Sequence, residues 1–247
     1  MIAVAATPQR IRVGLLGSQG RMGQQVAKLI QTEFRGQAEL AAQAAEGDAL
    51  EPLLRTDVVI DFSLPDAMAA LAETALATLS RDPQTKLPTF VVGSTGWKAE
   101  QTKTLERLAT KTSVVQSSNF STGVQALLAV LRQASPLLTK LGYAPVIVET
   151  HHRHKKDAPS GTAVSMQKVI APQAPTSVQT HAIRAGEIFG DHEATFYGPG
   201  DYLTFGHFAQ DRSIFARGAI EVALWLARRP ASSGILDMEL FFSEVMR

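Results

Sequence analysis

Residues 11–34 read IRVGLLGSQGRMGQQVAKLIQTEF. A short β-branched run ends at Gly17, and apolar residues recur at helical spacing after Gly23, which predicts a strand, a tight turn and a helix. Gly17, Gly20 and Gly23 lie between the two predicted elements. A helix that begins there offers unpaired N–H groups and a positive dipole end to a pyrophosphate. The loop therefore favours dinucleotide binding over a generic strand-to-helix turn.

The next segments continue this alternation of strand and helix. Helical composition and period are found in PDAMAALAETALATLS (65–80) and KAEQTKTLERLATK (98–111). The apolar runs around them are too short for helices and predict strands. These runs are AELAAQAAE (38–46), DVVIDFS (57–63), TFVVGST (89–95) and TSVVQSSN (112–119). Alternating strands and helices predict an α/β fold with a doubly wound, Rossmann-type parallel sheet.

The rhythm changes after residue 121. A long helix is predicted over Ser121–Leu141, followed by a strand, PVIVET (145–150), and a second helix that starts near Ser160. Three strand-like runs then follow one another directly, which favours a mixed or antiparallel sheet. These runs are HAIRAGEI (181–188), EATFYG (193–198) and YLTFGHFAQ (202–210), and helical spacing returns in residues 212–229. We expect a dinucleotide-binding domain of residues 1–121 and 212–247, and a C-terminal α+β domain of residues 122–211 with a mixed sheet.

Composition narrows the function classes. The chain has 247 residues, 45% hydrophobic and 19% charged, with a formal net charge of +1, which indicates a globular protein without a broad nucleic-acid surface. It has no cysteine, which excludes disulfides, thiolate nucleophiles and Cys-ligated zinc and leads us to expect a cytoplasmic location. The start, MIAVAATPQR, has no basic segment before its apolar run. No segment approaches the ~18 apolar residues of a membrane span, so we expect no membrane partner.

An acidic residue at the end of the second strand would bind the adenosine ribose hydroxyls. Glu46 lies 23 positions after Gly23, close to the expected spacing of ~20, while Asp48 is two positions away and could be a solvated turn carboxylate. No arginine follows at once to receive a 2′-phosphate. The pattern therefore favours NADH over NADPH.

Three of the chain's six histidines and two lysines lie together in HHRHKK, residues 151–156. A solvated basic loop, a metal site and a nucleic-acid patch are all possible interpretations. A metal site is disfavoured because the adjacent lysines repel cations, and a nucleic-acid patch because no aromatic residues are interleaved. The cluster follows a strand and precedes the helix-capping turn APSGT, where it would meet a small anionic substrate. Gly161 and Thr162 would bind a carboxylate there, with Lys155 or Lys156 as the point charge.

The string HHRHKKDAPSGTA (151–163) resembles the family of 4-hydroxy-tetrahydrodipicolinate reductases of bacterial and plant lysine biosynthesis. GSQGRMG (17–23), VVGSTGW (91–97) and SSNFSTGV (117–124) occur in the order typical of that family, and the likeness spans nearly the whole chain. The resemblance implies a Rossmann domain, a substrate and oligomerisation domain with a mixed sheet, and a homotetramer built through those sheets. The string around the histidines is specific to the family, whereas the glycine loop alone is not.

The resemblance also implies roles for individual residues. His151 corresponds to the family's proton donor and acceptor, Lys155 to a second proposed proton donor, and His152, Gly161 and Thr162 to positions that bind the substrate's carboxylates. No metal is implied. The cofactor positions implied are Gly17, Ser18, Gln19, Gly20, Arg21 and Met22 at the pyrophosphate, Gly93, Ser94 and Thr95 on the nicotinamide side, and Ser117, Ser118, Asn119 and Phe120 against the nicotinamide.

The reaction implied is the reduction, by NADH or NADPH, of C4 of a cyclic hydroxy-imine after loss of water, with protonation of the resulting enamine at C3. Two segments, between Glu46 and Asp57 and between Thr162 and Arg184, are shorter than is typical of the family, so its acidic ribose position could fall on Ala45 rather than Glu46. A Rossmann reductase of another cyclic imine or dicarboxylate, or a non-catalytic dinucleotide sensor, are the rival functions.

Overall fold

The structure, a computed structural model, describes residues 10–174 and 177–245. The apolar start of the chain considered above, residues 1–9, lies outside the described residues. The chain forms two compact units, one of Met1–Phe120 with Phe215–Arg247 and one of Ser121–Ile214. Nowhere in the described ranges does a helix combine the length and apolar character needed to cross a bilayer.

The first unit contains a six-stranded sheet whose strands all run parallel, in the order β10-β5-β4-β3-β1-β2. Its elements are β1 (Ile11–Leu16), α1 (Arg21–Thr32), β2 (Ala38–Ala44), a 3-10 helix (Glu51–Arg55), β3 (Val58–Asp61), α2 (Pro65–Arg81), β4 (Thr89–Val92), α3 (Ala99–Ala109), β5 (Ser113–Gln116), α6 (Ser213–Arg228, shared with the second unit at its start), β10 (Gly234–Leu236) and α7 (Met238–Val245).

Apolar clusters cover this sheet on both faces. Val13 and Leu15 of β1 pack with Ile30 of α1 and Ile220 of α6, whereas Leu16 and Val59 belong to a second cluster with residues of α2 and α3. Burial on both faces explains why the strands read as continuous apolar runs rather than alternating ones. Since β1 pairs with β2 on one side and β3 on the other, the strand order reverses at the end of β1, where ligands of such sheets bind.

The second unit contains a four-stranded sheet in the order β7-β6-β8-β9. β6 pairs in parallel with β7 and antiparallel with β8, and β8 pairs antiparallel with β9, so the sheet is mixed. Its elements are α4 (Thr122–Lys140), β6 (Ala144–His151), α5 (Gly161–Ile170), a 3-10 helix (Ala171–Gln173), β7 (Gln179–Arg184), β8 (Asp191–Tyr197) and β9 (Tyr202–Phe208).

One face of this sheet packs against α4 and α5. Ile147 of β6 and Phe196 of β8 are fully buried with Leu131 of α4 and Met166 of α5. Both helices begin with a serine cap, because the Ser121 hydroxyl accepts a hydrogen bond from Val124 N and the Ser160 hydroxyl accepts one from Ala163 N. The inward side chains of alternate strand residues thus form the core of the unit.

The predicted fold class, a Rossmann-type parallel sheet followed by an α+β part with a mixed sheet, is confirmed. The boundaries differ at one strand, since residues 181–188 were expected to be extended and β7 instead ends at Arg184. Gly186 has a φ of 52°, which no strand residue adopts, and residues 185–188 turn back to bond with the chain after β6. β10 and α7 were not predicted.

Candidate functional site

The glycine loop joins β1 to α1 in the first unit. Gly17 has a φ of 83°, and a Cβ on Gly23 would lie 2.2 Å from the carbonyl oxygen of Gly17, so the chain can make this turn only with hydrogen at both positions. Gly20 caps α1 without any side-chain hydrogen bond, and the first turn of the helix contains no acidic residue. Ser18 is half-buried, Gln19 and Arg21 are exposed, and Met22 packs against the core. The loop therefore leads into a helix start of the kind that binds anions.

The other predicted cofactor residues follow β4 and β5 at the same edge of the sheet. Gly93 comes directly after β4, and Ser117 comes directly after β5. The backbone N–H of Ser117 donates to Val92 O at 3.1 Å. Ser94 is buried, while Thr95 and Ser118 are exposed. Because the strands are parallel, their carboxyl ends meet at one edge, so these segments lie along the edge that carries the glycine loop.

Asp61 at the end of β3 supports this edge. Its side chain is fully buried and accepts hydrogen bonds from Ser94 Oγ at 2.6 Å and from the backbone N–H of Ser63 at 2.8 Å. Burial raises the pKa of Asp61 above its usual range, although the serine hydrogen bonds oppose that shift. The carboxylate therefore ties the turn after β4 to the end of β3.

Two aromatic rings and a short turn complete the edge. The ring of Phe62 lies 6.0 Å from that of Phe120, edge to face, and Phe120 is buried. Ser117 Oγ donates to Asn119 O at 2.8 Å and accepts from Asn119 N at 3.1 Å, which closes the turn before Phe120. The segment 117–120 is thus held by its own hydrogen bonds.

The predicted ribose residue Glu46 is exposed and lies two residues beyond the end of β2. The carboxylate of Asp48 turns back and accepts the backbone N–H of Ala45 at 2.8 Å, so Asp48 closes the turn. Gly47, with a φ of 87°, completes that turn. Of the three alternatives considered, Ala45 has no side-chain acceptor and Asp48 is engaged locally, which leaves Glu46 as the carboxylate directed at solvent.

These features fit a dinucleotide. The close approach of Gly23 to Gly17, the helix start that has no side-chain cap, and the carboxylate beyond β2 are the three elements that a pyrophosphate and a ribose require. The residues that would hold the dinucleotide are therefore the loop from Gly17 to Met22, Glu46, and the turns after β4 and β5.

The histidine cluster begins at the last residue of β6, in the second unit. His151 is buried, and its Nδ1 is hydrogen-bonded to Glu149 Oε2. Its Nε2 lies 2.9 Å from the position that a Cβ on Gly190 would occupy, and Gly190 has a φ of 153°, so only glycine leaves room for the imidazole. Burial lowers the pKa of His151 and Glu149 raises it, with the net shift downward.

The rest of the cluster lies in the loop that follows. His152 is half-buried and its backbone N–H donates to Ile188 O at 2.7 Å, whereas His154 is exposed. Burial and the charge of Arg212 lower the pKa of His152. Lys155 is partly buried and forms an ion pair with Asp157, Nζ to Oδ1 2.9 Å, so part of its charge is already balanced. Lys156 is exposed.

The start of α5 lies close to His151. The backbone N–H of Ser160 donates to Glu149 Oε1 at 3.2 Å, and Gly161 and Thr162 form the first turn of the helix. Thr162 is buried and Gly161 half-buried. The structure therefore brings the proposed proton donor and the proposed carboxylate-binding positions to one place in the second unit.

Two further histidines, on β8 and β9, lie beside the serine caps of α5 and α4. Ser160 Oγ lies 3.1 Å from His192 Nε2, and Ser121 Oγ lies 3.1 Å from His207 Nε2. Each helix cap is therefore bonded to a sheet histidine. Burial, followed by the charge of His151, lowers the pKa of His192 to about 3, and burial lowers that of His207, so both rings are neutral near pH 7.

Arg184 neutralises the carboxylate beside His151. Glu149, His151 and His192 place ligand atoms within 4.8 Å of one another. Arg184, however, donates from Nη2 to Glu149 Oε1 at 2.7 Å and from Nη1 to Oε2 at 3.0 Å, so both carboxylate oxygens already face a positive charge. Glu149 and His151 therefore belong to an ion-pair network with Arg184.

Sequence reasoning missed the residues behind the cluster, namely Glu149, Arg184, His192 and Ser160. One local signal was present, because Ile147, Glu149 and His151 alternate along β6 and must share the buried face. A carboxylate at a buried position requires a partner, and that requirement singles out Glu149. Arg184 and His192 are brought in by strand pairing, which no local pattern shows.

Comparisons with known proteins place this arrangement in context. Residues 11–120 match the family model "Dihydrodipicolinate reductase, N-terminus", and residues 123–242 match "Dihydrodipicolinate reductase, C-terminus". A 4-hydroxy-tetrahydrodipicolinate reductase of Caulobacter vibrioides is 35% identical over 259 residues, covering 94% of this chain and 96% of that protein. The enzyme of the same name from Halorhodospira halophila is 32% identical over 269 residues, covering 92% and 96%.

A solved structure has the same fold. Dipicolinate-bound dihydrodipicolinate reductase from Paenisporosarcina sp. TG-14 matches with a TM-score of 0.73 and 21% identity, over 93% of this chain and 98% of that chain. A DAP dehydrogenase of C. glutamicum matches more distantly, with a TM-score of 0.51 and 12% identity over 93% of each chain.

Proposed function

The chain belongs to the dihydrodipicolinate reductase family and reduces 4-hydroxy-tetrahydrodipicolinate with NAD(P)H in diaminopimelate and lysine biosynthesis, and we propose how its residues do so. The first unit binds the dinucleotide and the second unit binds the substrate. The observation that carries the second assignment is His151, buried at the end of β6 beside the first turn of α5. That placement joins a titratable donor to an anion-binding helix start.

The cofactor supplies the hydride when it is bound. The chain's own residues bind, orient and protonate. The N–H groups of Gly161 and Thr162 hold one substrate carboxylate at the positive end of α5. Lys155 contributes positive charge to the anion, His152 contributes a hydrogen-bond donor, and His151 gives its proton to C3 of the enamine. The dicarboxylate seen in the Paenisporosarcina enzyme, dipicolinate, has the two anionic groups that these donors require.

Turnover separates this function from its rivals. We expect the protein to oxidise NADH when 4-hydroxy-tetrahydrodipicolinate is present, followed as loss of NADH absorbance. A panel of other cyclic imines and dicarboxylates tests the broader reductase alternative. NADH binding without turnover on any of these compounds would instead indicate a dinucleotide sensor. We also propose a cytoplasmic location, because a chain with no cysteine fits a reducing compartment.

The dinucleotide edge predicts a preference for NADH. Residues 45–54 read AEGDALEPLL, with three carboxylates and no lysine or arginine, and Glu46 is exposed at the end of β2. Two like charges 4 Å apart repel by ~1 kcal/mol even in water. We therefore expect NADH to bind at least about 5-fold more tightly than NADPH, measured by fluorescence titration of each. Glu46→Gln should narrow this difference and Glu100→Gln, at an exposed position on α3, should not. Tighter binding of NADPH to the unchanged protein would contradict the assignment.

The outer face of the second sheet supports a homotetramer. The rings of Tyr197 and Tyr202 lie 5.7 Å apart between centroids at an interplanar angle of 40°. Tyr197, Tyr202 and Phe208 are 52%, 66% and 57% exposed. Thr204 lies between them on the same face and is hydrogen-bonded to Thr195 at 3.0 Å. An exposed aromatic sheet face of this kind favours pairing with a second copy.

We expect light scattering to give about four times the 26.6 kDa of one chain at micromolar concentration. Thr204→Arg should lower that mass, because it places a long charged side chain at the centre of the outer face. Thr32→Arg, at the exposed end of α1, is the matched control and should leave the mass unchanged. A monomer mass for the unchanged protein would refute the proposed assembly.

A further inference from the structure

Glu149 is a fully buried carboxylate surrounded by donors. It accepts two hydrogen bonds from Arg184, at 2.7 and 3.0 Å, one from Ser160 N at 3.2 Å, and one from His151 Nδ1. These donors come from β6, β7 and the start of α5. A buried charge is tolerated only when it is paired and hydrogen-bonded, and Glu149 meets that requirement through these four hydrogen bonds.

Arg184 anchors the carboxylate to the loop that carries the cluster. Its Nη2 also donates to Asp157 O at 2.6 Å, and its Nη1 donates to Ile183 O at 2.7 Å. The guanidinium of Arg184 is therefore fixed by two backbone carbonyls, and it binds the carboxylate of Glu149 in a bidentate contact. Burial opposes ionisation of Glu149, but Arg184 and His151 outweigh it and lower the pKa of Glu149, so the carboxylate is ionised near pH 7.

An ionised carboxylate at Nδ1 determines which nitrogen of His151 can act. Since Glu149 only accepts, Nδ1 carries a hydrogen and Nε2 is the nitrogen that exchanges a proton with other groups. The ring donates from Nε2 only as the imidazolium. When it does, the Nε2–H bond breaks, its electron pair stays on Nε2, and the enamine's electron pair forms the C3–H bond.

We propose that Glu149, held by Arg184, is a positioning residue of the reductase that orients His151 through Nδ1 and stabilises its imidazolium form. The proposal rests on the proposed role of His151 as proton donor. Glu149 itself touches His151 and not the reacting atoms, so it acts through that histidine.

The charges around His151 support a titration role for this pair. The groups that face the imidazole are Glu149 on β6, Arg184 on β7, His192 on β8, and Lys155 with Asp157 in the loop before α5. Burial, Lys155 and Arg184 lower the pKa of His151, and Glu149 raises it. Glu149 and Arg184 therefore act on the histidine with opposite signs.

Opposite signs make a sharp experiment possible. Glu149→Gln keeps the shape of the side chain but removes its charge, so the pKa of His151 should fall by about one unit or more, since a nearby opposite charge shifts a pKa by ~1–3 units. Above that pKa, each unit by which the pKa falls leaves about tenfold less imidazolium, so kcat should fall about tenfold or more. The pH above which kcat declines should also be lower than in the unchanged protein. Arg184→Gln should move both the pKa and the kcat profile to higher pH.

The measurements are the NMR titration of the His151 ring and the pH profile of kcat, on the full chain with NADH. Glu73→Gln, which removes an exposed carboxylate paired with Arg107, is the matched control and should leave both unchanged. A merely structural role predicts lower stability in both Glu149→Gln and Arg184→Gln with no opposed shifts, and that result would overturn the proposal. Glu149→Asp, which keeps the charge, should restore part of the pKa.

The outcomes also separate this inference from the proposed function. Near-normal turnover in His151→Gln would refute the role of His151 as proton donor, and with it the positioning role of Glu149. Low turnover in His151→Gln together with an unchanged His151 titration in Glu149→Gln would refute the positioning role alone. Should Glu149→Gln fail to fold, judged by circular dichroism, Glu149→Asp decides, because it keeps the charge but withdraws the carboxylate from Nδ1. A kcat lowered at every pH, with the pKa of His151 partly kept, supports the positioning role, and an unchanged kcat and pKa overturns it.

Discussion

Replacing His151 with Gln should lower kcat by roughly 100 to 10,000-fold, because loss of a general acid typically costs this much. Gln keeps a polar side chain of similar reach, so KM should change much less, which is the pattern of an interaction made in the transition state. NADH affinity should remain normal. Steady-state kinetics on the variant, with NADH binding measured separately by fluorescence, provides the test.

His154→Gln is the matched control for this variant, since His154 belongs to the same cluster but is exposed. Its kcat should stay within about twofold of the unchanged protein, as for surface substitutions away from a site. Near-normal turnover in His151→Gln would move proton donation to another histidine of the cluster or return the cluster to a solvated loop. A large loss of kcat in His154→Gln would instead assign a role in turnover to His154.

Replacing Gly23 with Ala should weaken NADH binding by about 10- to 100-fold, because the backbone shift that overpacking forces costs about 1–3 kcal/mol and each ~1.4 kcal/mol is tenfold in affinity. The added Cβ would lie 2.2 Å from Gly17 O, which is backbone, so the loop between β1 and α1 must open. The hydrogen bond from Gly20 N to Gly17 O, now 3.1 Å, lies within the same turn and would be strained. Calorimetric titration with NADH measures the loss of affinity.

Gly36→Ala separates this effect from the general consequences of removing a glycine. No atom lies within 4 Å of a Cβ built on Gly36, so that variant should bind NADH normally and keep its thermal stability. Gly23→Ala should also lower the free energy of unfolding, by roughly 1–3 kcal/mol for an overpacked site. Normal NADH affinity in Gly23→Ala would mean that the dinucleotide does not use this loop.

Much of the fold could be predicted because its signals are local. The strands and helices of the first unit alternate with clear period, and the glycine loop marks the turn after β1. β10 escaped prediction because it consists of three residues, Gly234–Leu236, and is a strand only through its pairing with β5. The end of β7 was misplaced because Gly186 turns the chain, whereas the flanking residues look extended.

The residues of the candidate site likewise differ in whether a local sequence pattern reveals them. Residues that are neighbours in sequence, such as His151, His152 and Lys155, could be found from the cluster itself. Arg184 could not, because it meets Glu149 only when β6 and β7 pair, whereas Glu149 resembles any exposed strand residue until its alternation with Ile147 is considered. Long-range pairing carries this information, and single segments do not contain it.

The connectivity of the first unit has a consequence for synthesis on the ribosome. Val115 and Phe120 pack in one core with Ala216 and Ile220 of α6, yet the whole of Ser121–Ile214 is translated between them. At ~5–20 residues per second this interval lasts about 5 to 20 s. During that time the nascent sheet has five strands, and the apolar surface that α6 and β10 later cover is exposed. The first unit to emerge is therefore the last that can finish folding, and its open core is a surface for chaperones to bind during translation.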